Sequence, residues 1–213
     1  MGVVLSRVLT AQDVVLVRSM LAGQRFVDGR ATSQVEGKHN LQLPVDNEVA
    51  RSAAEVVAGR LVAHEHFQQS VYPAAIISPT FSRFEPGMEY PWHVDRALIA
   101  GRRADVSVTV FLSDPGDYEG GDLEIETGNG ERCYRLPAGD AVVYPSTSLH
   151  RVTGVTRGVR EAAIVWVESM VRDAGRRNIL AELDEVVREL PPSRYADRVR
   201  RAHVNLERMW IEP

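Results

Sequence analysis

The spacing of hydrophobic positions changes twice along this chain. An apolar run from Val3 to Leu9 reads as an opening strand. Helical spacing follows. Thr10 suits an N-cap, Asp13 stands at the third helical position, Leu9 and Val14 are placed to pack on each other, and Gly23 provides the stop. Between about Asn47 and Gln69, Val49, Ala53, Val57 and Leu61 recur every four residues and predict one long helix capped by Asp46. Its His64 and His66 are two apart, face different ways on a helix and cannot jointly chelate an ion; they read as solvated or cap-side groups.

From Ala74 to Glu168 short apolar strands alternate with Gly/Pro turns, the pattern of an all-β sandwich or barrel. Ala75–Phe84 reads as a strand and Glu85-Pro86-Gly87 as a turn. Val106–Leu112 alternates cleanly, with Ser107 and Thr109 opposite Val106 and Val108; that polar face lines either a cofactor cavity or solvent. Glu119–Leu123 and Leu136–Asp140 read as tight turns, and their acids as turn and surface groups rather than ligands. Further strands are expected at Asp140–Tyr144 and Glu161–Val167. Helical spacing returns near Asp173, with Ile179, Leu180, Leu183, Val186, Val187 and Leu190. Pro191-Pro192 breaks that helix. A last helix runs from Ser193 to Met209, with Val199, Ala202, Leu206 and Met209 as its apolar stripe. The expected fold is mainly β with flanking helices. Residues 1–72 are a helical support, 73–172 the β core, and 173–213 a helical extension that packs on the core or forms a homodimer face.

Composition narrows the class. A chain of 213 residues is one domain with at most an appendage. The net charge of −4, with acids and bases interspersed, gives no reason to expect nucleic-acid binding. No apolar run reaches the roughly 20 residues of a membrane span, and no signal peptide is visible. Cys133 is the only cysteine, which excludes an internal disulfide and fits a reducing, cytoplasmic setting. Lys38 is the only lysine, so 25 − 1 = 24 of the cations are arginine; this reads as compositional bias. Met1-Gly2-Val3-Val4-Leu5-Ser6 fits a myristoylation pattern, but the strand reading of the same residues is preferred.

The chemistry concentrates in Tyr90-Pro91-Trp92-His93-Val94-Asp95, in His150, 57 residues after His93, and in Arg160, ten residues beyond that. Two histidines and one carboxylate can hold a non-haem Fe(II) on one face and leave the other open. A bare His-x-Asp is weak. On a strand, however, residues i and i+2 point the same way, so His93 and Asp95 can reach one ion. A hairpin centred near Val155 would set His150 opposite Arg160, within reach of a dicarboxylate chelated to the metal. Tyr90 and Trp92 flank the triad and either line the pocket or pack in the core.

Several longer stretches resemble a known family. They are Phe81-Ser-Arg-Phe-Glu-Pro-Gly-Met-Glu-Tyr-Pro-Trp-His93-Val-Asp95, Phe111-Leu-Ser-Asp-Pro-Gly-Asp-Tyr-Glu-Gly-Gly-Asp-Leu123, Leu136-Pro-Ala-Gly-Asp-Ala-Val-Val-Tyr-Pro-Ser-Thr-Ser-Leu-His150 and Val155-Thr-Arg-Gly-Val-Arg160. Together they are similar to the PKHD-type hydroxylases, Fe(II)/2-oxoglutarate-dependent dioxygenases of bacteria related to prolyl 4-hydroxylases. The likeness is densest over 81–172. It implies a double-stranded β-helix (jelly-roll) core, with His93, Asp95 and His150 as catalytic iron ligands and Arg160 on the distal carboxylate of 2-oxoglutarate. Thr109 and Tyr90 join Arg160 as candidate cofactor-binding side chains. O₂ is the co-oxidant and ascorbate a candidate reductant. The substrate is a small molecule, an amino-acid-like compound or a peptidyl side chain, hydroxylated with succinate and CO₂ as co-products. Asp95 favours hydroxylation over halogenation, since halogenating relatives leave that position without a carboxylate. Two positions depart from the family. Phe84 stands where Tyr is common, and Glu36–Pro44 follows a different pattern. The alternatives are a cupin-like jelly-roll metalloprotein without 2-oxoglutarate turnover, and a binding module that has lost catalysis.

Overall fold

The computed structural model describes residues 2–33 and 35–212; Met1, which begins the myristoylation pattern, lies outside them. The N-terminal third comprises β1 (Val3–Leu5), α1 (Ala11–Leu21), β2 (Val27–Asp28), a short 3₁₀ turn (Gly29–Thr32), β3 (Leu41–Gln42), α2 (Glu48–Ala63) and α3 (Glu65–Val71). The β region follows with β4 (Pro73–Phe84), β5 (Tyr90–His93), β6 (Leu98–Ile99), β7 (Arg102–Arg103), β8 (Val106–Phe111), β9 (Tyr118–Gly120), β10 (Leu123–Thr127) and β11 (Gly130–Tyr134). It ends with β12 (Ala141–Pro145), β13 (His150–Val152), β14 (Val155–Gly158) and β15 (Arg160–Ser169), before α4 (Ala174–Glu189) and α5 (Arg194–Trp210).

Two sheets face each other. The larger has the order β1-β12-β8-β15-β4-β3-β2, the smaller β11-β10-β13-β5. The alternation read in β8 separates two cores. Val106, Val108 and Val110 join Ala141, Val143, Ala163, Val165 and Val167 against Val14, Val17, Val57, Leu61 and Phe67 of the helices. On the other face Phe111, Val142 and Tyr144 meet Leu123, Ile125 and Tyr134 of the smaller sheet. Ser107 and Thr109 share that inward face and are fully buried, so the polar side of β8 faces the sandwich interior and not solvent.

Local signals explain the helix ends. Thr10 caps α1 as read: its hydroxyl accepts from the Asp13 N–H, and the Asp13 carboxylate accepts from the Thr10 N–H at 2.9 Å. The second helix differs from expectation in two ways. Its cap is Asn47, whose Oδ1 accepts from Ala50 N–H at 2.8 Å, and not Asp46. It also breaks at His64, which takes an extended conformation between α2 and α3. The apolar pattern accounts for the break. Phe67 lies six residues after Leu61, about 240° around a continuous helix, yet both are fully buried in one core. The kink brings Phe67 and Val71 back onto the sheet.

The expected hairpin between His150 and Arg160 does not form. β13 pairs with β10 and β5 in the small sheet, β14 pairs with β9, and Arg160 pairs with Phe84 on β4 in the large sheet. The chain uses residues 153–158 to cross between sheets, so the two residues converge from opposite walls rather than along a ladder. At the C-terminus, α4 packs on α3 and α5, and Val171, Leu180 and Tyr72 form a small core there. The buried Arg177 guanidinium donates to the carbonyls of Val171 and Arg172 at 2.6 and 2.9 Å, anchoring α4 to the chain just before it. Among the described residues no helix is long and apolar enough to cross a membrane.

Candidate active site

His93 and His150 are directly paired residues on β5 and β13, so their imidazoles emerge on the same, inward face of the small sheet. Each ring Nδ1 abuts a carbonyl two residues back, Pro91 at 2.8 Å and Ser148 at 3.0 Å. A carbonyl only accepts, so Nδ1 of each ring carries the proton and Nε2 presents a lone pair to the interior. Burial, then the neighbouring His150, holds His93 below the ordinary imidazole range and keeps it neutral into mild acid.

Asp95 reaches the same point by another route. β5 ends at His93, so Asp95 lies beyond the strand and is not positioned by pairing. Its Oδ2 instead accepts two hydrogen bonds from the large sheet, from Ser107 Oγ on β8 at 2.6 Å and from Trp166 Nε1 on β15 at 2.9 Å. Ser107 also shares a hydrogen bond with Ser146 at 2.7 Å. Ser107 and Trp166 are directly paired across β8 and β15, which puts both on the inward face. One donor atom from each of His93, Asp95 and His150 lies within 4.8 Å of the others, and all three residues are largely buried. The three could hold one metal ion. Trp166→Phe keeps the ring but removes the N–H that holds Asp95. Loss of such an outer partner should weaken Mn(II) binding about 10- to 100-fold by calorimetry, with Ser107→Ala additive or worse. Unchanged affinity in both variants would show that neither group positions Asp95.

Arg160 occupies the opposite wall. It is 1% exposed, and none of its three guanidinium nitrogens has a hydrogen-bond partner among the described residues. Phe84 and Phe111 pack against it, with the guanidinium carbon 5.3 and 5.4 Å from their ring centres. Burial shifts its pKa downward, although an arginine there keeps its charge. The buried Tyr118 hydroxyl lies close beside it without closing a well-formed hydrogen bond. Gly121 closes this corner: a Cβ there would come within 3.0 Å of Arg160 Cδ, and its φ of +65° also favours glycine. A buried cation without a counter-ion, with a buried hydroxyl beside it, could accept a carboxylate. Tyr144 stands between this corner and the histidines, its ring 5.0 Å from His150, with Thr109 facing its hydroxyl.

A family model of the 2OG-Fe(II) oxygenase superfamily matches residues 79–168. A PKHD-type hydroxylase of Paraburkholderia xenovorans is 43% identical over 220 residues, covering 97% of this chain and 97% of the relative. Another from Hyphomonas neptunium is 44% identical over 192 residues, covering 86% and 85%. The chain belongs to the PKHD-type hydroxylase family. Like that family it is a 2-oxoglutarate-dependent hydroxylase, an iron-dependent dioxygenase. Solved structures agree on the double-stranded β-helix. A Pseudomonas putida prolyl-4-hydroxylase superposes with TM-score 0.58 at 20% identity, covering 79% of this chain and 92% of that one. A Trichoplax adhaerens prolyl hydroxylase solved with a peptide fragment gives 0.62 at 14%, covering 84% and 86%.

Within this PKHD-type chain, Tyr90 sits against the triad. Its ring stacks on His93 with centroids 3.6 Å apart, and its hydroxyl donates to Ser33 at 2.9 Å. Trp92 does not join it. Its ring lies under Arg151 at 4.7 Å, beside an open cavity of about 300 Å³ on the outer side of the small sheet. Four further residues of the site escaped the sequence pattern in part or whole. Trp166 reads as ordinary strand core, and Tyr118, just ahead of the Glu119–Leu123 turn, carries no reading of its own. Ser107 carries only the β8 alternation as a signal. Lys38, which reads as compositional bias, is 3% exposed beside Tyr90.

Proposed function

We propose that the chain hydroxylates an unactivated C–H bond of a small-molecule or peptidyl substrate. In this reading His93, Asp95 and His150 hold Fe(II), and Arg160 pairs with the distal carboxylate of 2-oxoglutarate. Bound there, iron and cosubstrate supply the oxidative decarboxylation that activates O₂ and leaves succinate and CO₂. The observation that carries the reading is the presence of two features in one interior. A compact buried His/Asp/His cluster faces a buried guanidinium whose nitrogens have no partner. The residues fit the group. The histidine tautomers present lone pairs, Asp95 supplies the carboxylate of a facial triad, and the Arg160 fork matches a carboxylate. Phe84 and Phe111 keep water from that pair, and Tyr118 offers a hydroxyl where Phe84 lacks one. Thr109 and Tyr90 line the same interior and complete the cofactor pocket. A cupin-like metalloprotein without the cosubstrate would have no use for Arg160.

The unit that does this spans 1–172, with 173–213 as an extension. Exposed Ile179, Val186, Leu190, Tyr195 and Met209 on α4, α5 and the turn between them suit a homodimer contact. A peptidyl substrate fits the relation to prolyl hydroxylases, ascorbate fits as a reductant, and the single unpaired cysteine fits a cytoplasmic setting. The test is turnover. Fe(II)-loaded protein with 2-oxoglutarate and O₂ should release succinate stoichiometrically with a product one oxygen heavier, and chloride should change nothing. No succinate with any candidate substrate, or a chlorinated product, would refute it.

A further inference from the structure

Ser33 and residues 37–39 lie against the start of β5. The backbones of His39 and Glu89 exchange two hydrogen bonds of 2.9 Å, and Tyr90 donates to Ser33. This seats Lys38 at the wall of the site. Its Nζ donates to Thr32 Oγ1 at 2.7 Å and stands 4.8 Å from the centre of the Tyr90 ring, the ring that stacks on His93. Among the described residues no carboxylate lies within ion-pair distance of that ammonium; Asp28 and Asp95 act on it only from further away. Burial brings its pKa down to about 8 against their pull, which still leaves it charged at neutral pH.

The charges of the loaded site give this cation a meaning. Fe(II), the Asp95 carboxylate, the 2-oxoglutarate dianion and the Arg160 guanidinium sum to zero formal charge. Lys38 then remains as one positive charge, buried at 3% exposure with an aromatic face and a single hydroxyl for company. Buried charges are ordinarily paired. The two spare N–H groups and the missing counter-ion describe a place for one anionic group.

We propose that Lys38 reads a carboxylate on the substrate, so that the substrate class is a compound or peptide end bearing a free carboxylate near the carbon to be hydroxylated. This rests on the reading of the site as a 2-oxoglutarate-dependent hydroxylase. Tyr90 sets the neighbourhood: its ring contacts both the ammonium and His93, so the anion docks beside the candidate iron centre.

Because the chain has one lysine, ¹³C-lysine labelling gives one side-chain resonance to follow. The probes are N-acetylglycine and its neutral amide. They are titrated into protein loaded with Zn(II), a diamagnetic stand-in for iron, and saturated with 2-oxoglutarate. N-acetylglycine should move the resonance and raise its titration midpoint, because an adjacent carboxylate favours the ammonium. The amide should do neither. Lys38→Met should weaken N-acetylglycine binding about 10- to 100-fold while 2-oxoglutarate binds as before. The wild-type titration stands even if that variant fails to fold. The proposal is overturned if neither probe moves the resonance, if both move it alike, or if 2-oxoglutarate alone raises the midpoint as much as N-acetylglycine does. The underlying reading fails differently. It is lost if Fe(II) and 2-oxoglutarate give no visible charge-transfer band, whereas a silent lysine with that band present defeats only this inference.

Discussion

His93→Ala should abolish stoichiometric Fe(II) binding and all succinate formation. The ring is the hub of the site. Its Nε2 lies 3.9 Å from Asp95 Oδ1, its Nδ1 is fixed on Pro91, and Tyr90 stacks over it. If His93 is a ligand, its removal should exceed the roughly 10- to 100-fold that loss of an outer partner brings. The small sheet should survive, because the β5–β13 pairing runs through backbone groups and through Tyr90 opposite Val152. Circular dichroism should therefore match wild type while bound metal falls to background. Full metal retention in a His93→Ala/His150→Ala double variant would place the ion elsewhere.

Arg160→Ala should weaken 2-oxoglutarate binding about 10- to 150-fold, as expected for a charge-assisted pair of roughly 1.5–3 kcal/mol. Lysine should rescue only in part, because a point charge replaces a planar fork. Metal affinity without cosubstrate should barely change. Folding stability should move the other way. The guanidinium is buried with three unpaired nitrogens, a burden on the chain without an anion. Arg160→Met, similar in length and apolar, should leave stability without 2-oxoglutarate unchanged or raise it by about 1–3 kcal/mol in urea unfolding. A large loss of stability in Arg160→Met, with cosubstrate affinity intact, would make Arg160 a structural residue and move the anchor to Arg157 or Arg151. Those are weaker candidates here, since each is paired, with Glu119 and Glu124 respectively.

The triad was legible because its chemistry limits it to a few residue types, and the β period brings His93 toward the interior. The route by which the parts meet was not. Hairpin reasoning takes neighbours in sequence as neighbours in a ladder, but residues 153–158 change sheets, and no local signal distinguishes a crossing from a return. The helix break at His64 was readable in principle from the six-residue step between Leu61 and Phe67, which a search for spacing four passes over. Trp166 was hidden because an indole in an apolar strand looks like core until Asp95 is placed beside it. Lys38 was hidden for a similar reason. It sits in an irregular stretch held by a two-residue strand, and its meaning lies in Tyr90, 52 residues away.

The attachment of Asp95 has a consequence for how long the folded chain lasts. Both histidines belong to the small sheet, while the carboxylate is tethered to the large one through Ser107 and Trp166. An ion held by all three would act as a rivet between the two layers. Anything that binds only the folded state deepens its well, by about 2.7 kcal/mol when free metal stands at a hundred times its dissociation constant. Iron-starved molecules would lose that reserve and part their layers more often. Proteases that cut the transiently opened form would then clear idle copies first, so iron supply would set how much of this protein persists as well as how much of it works.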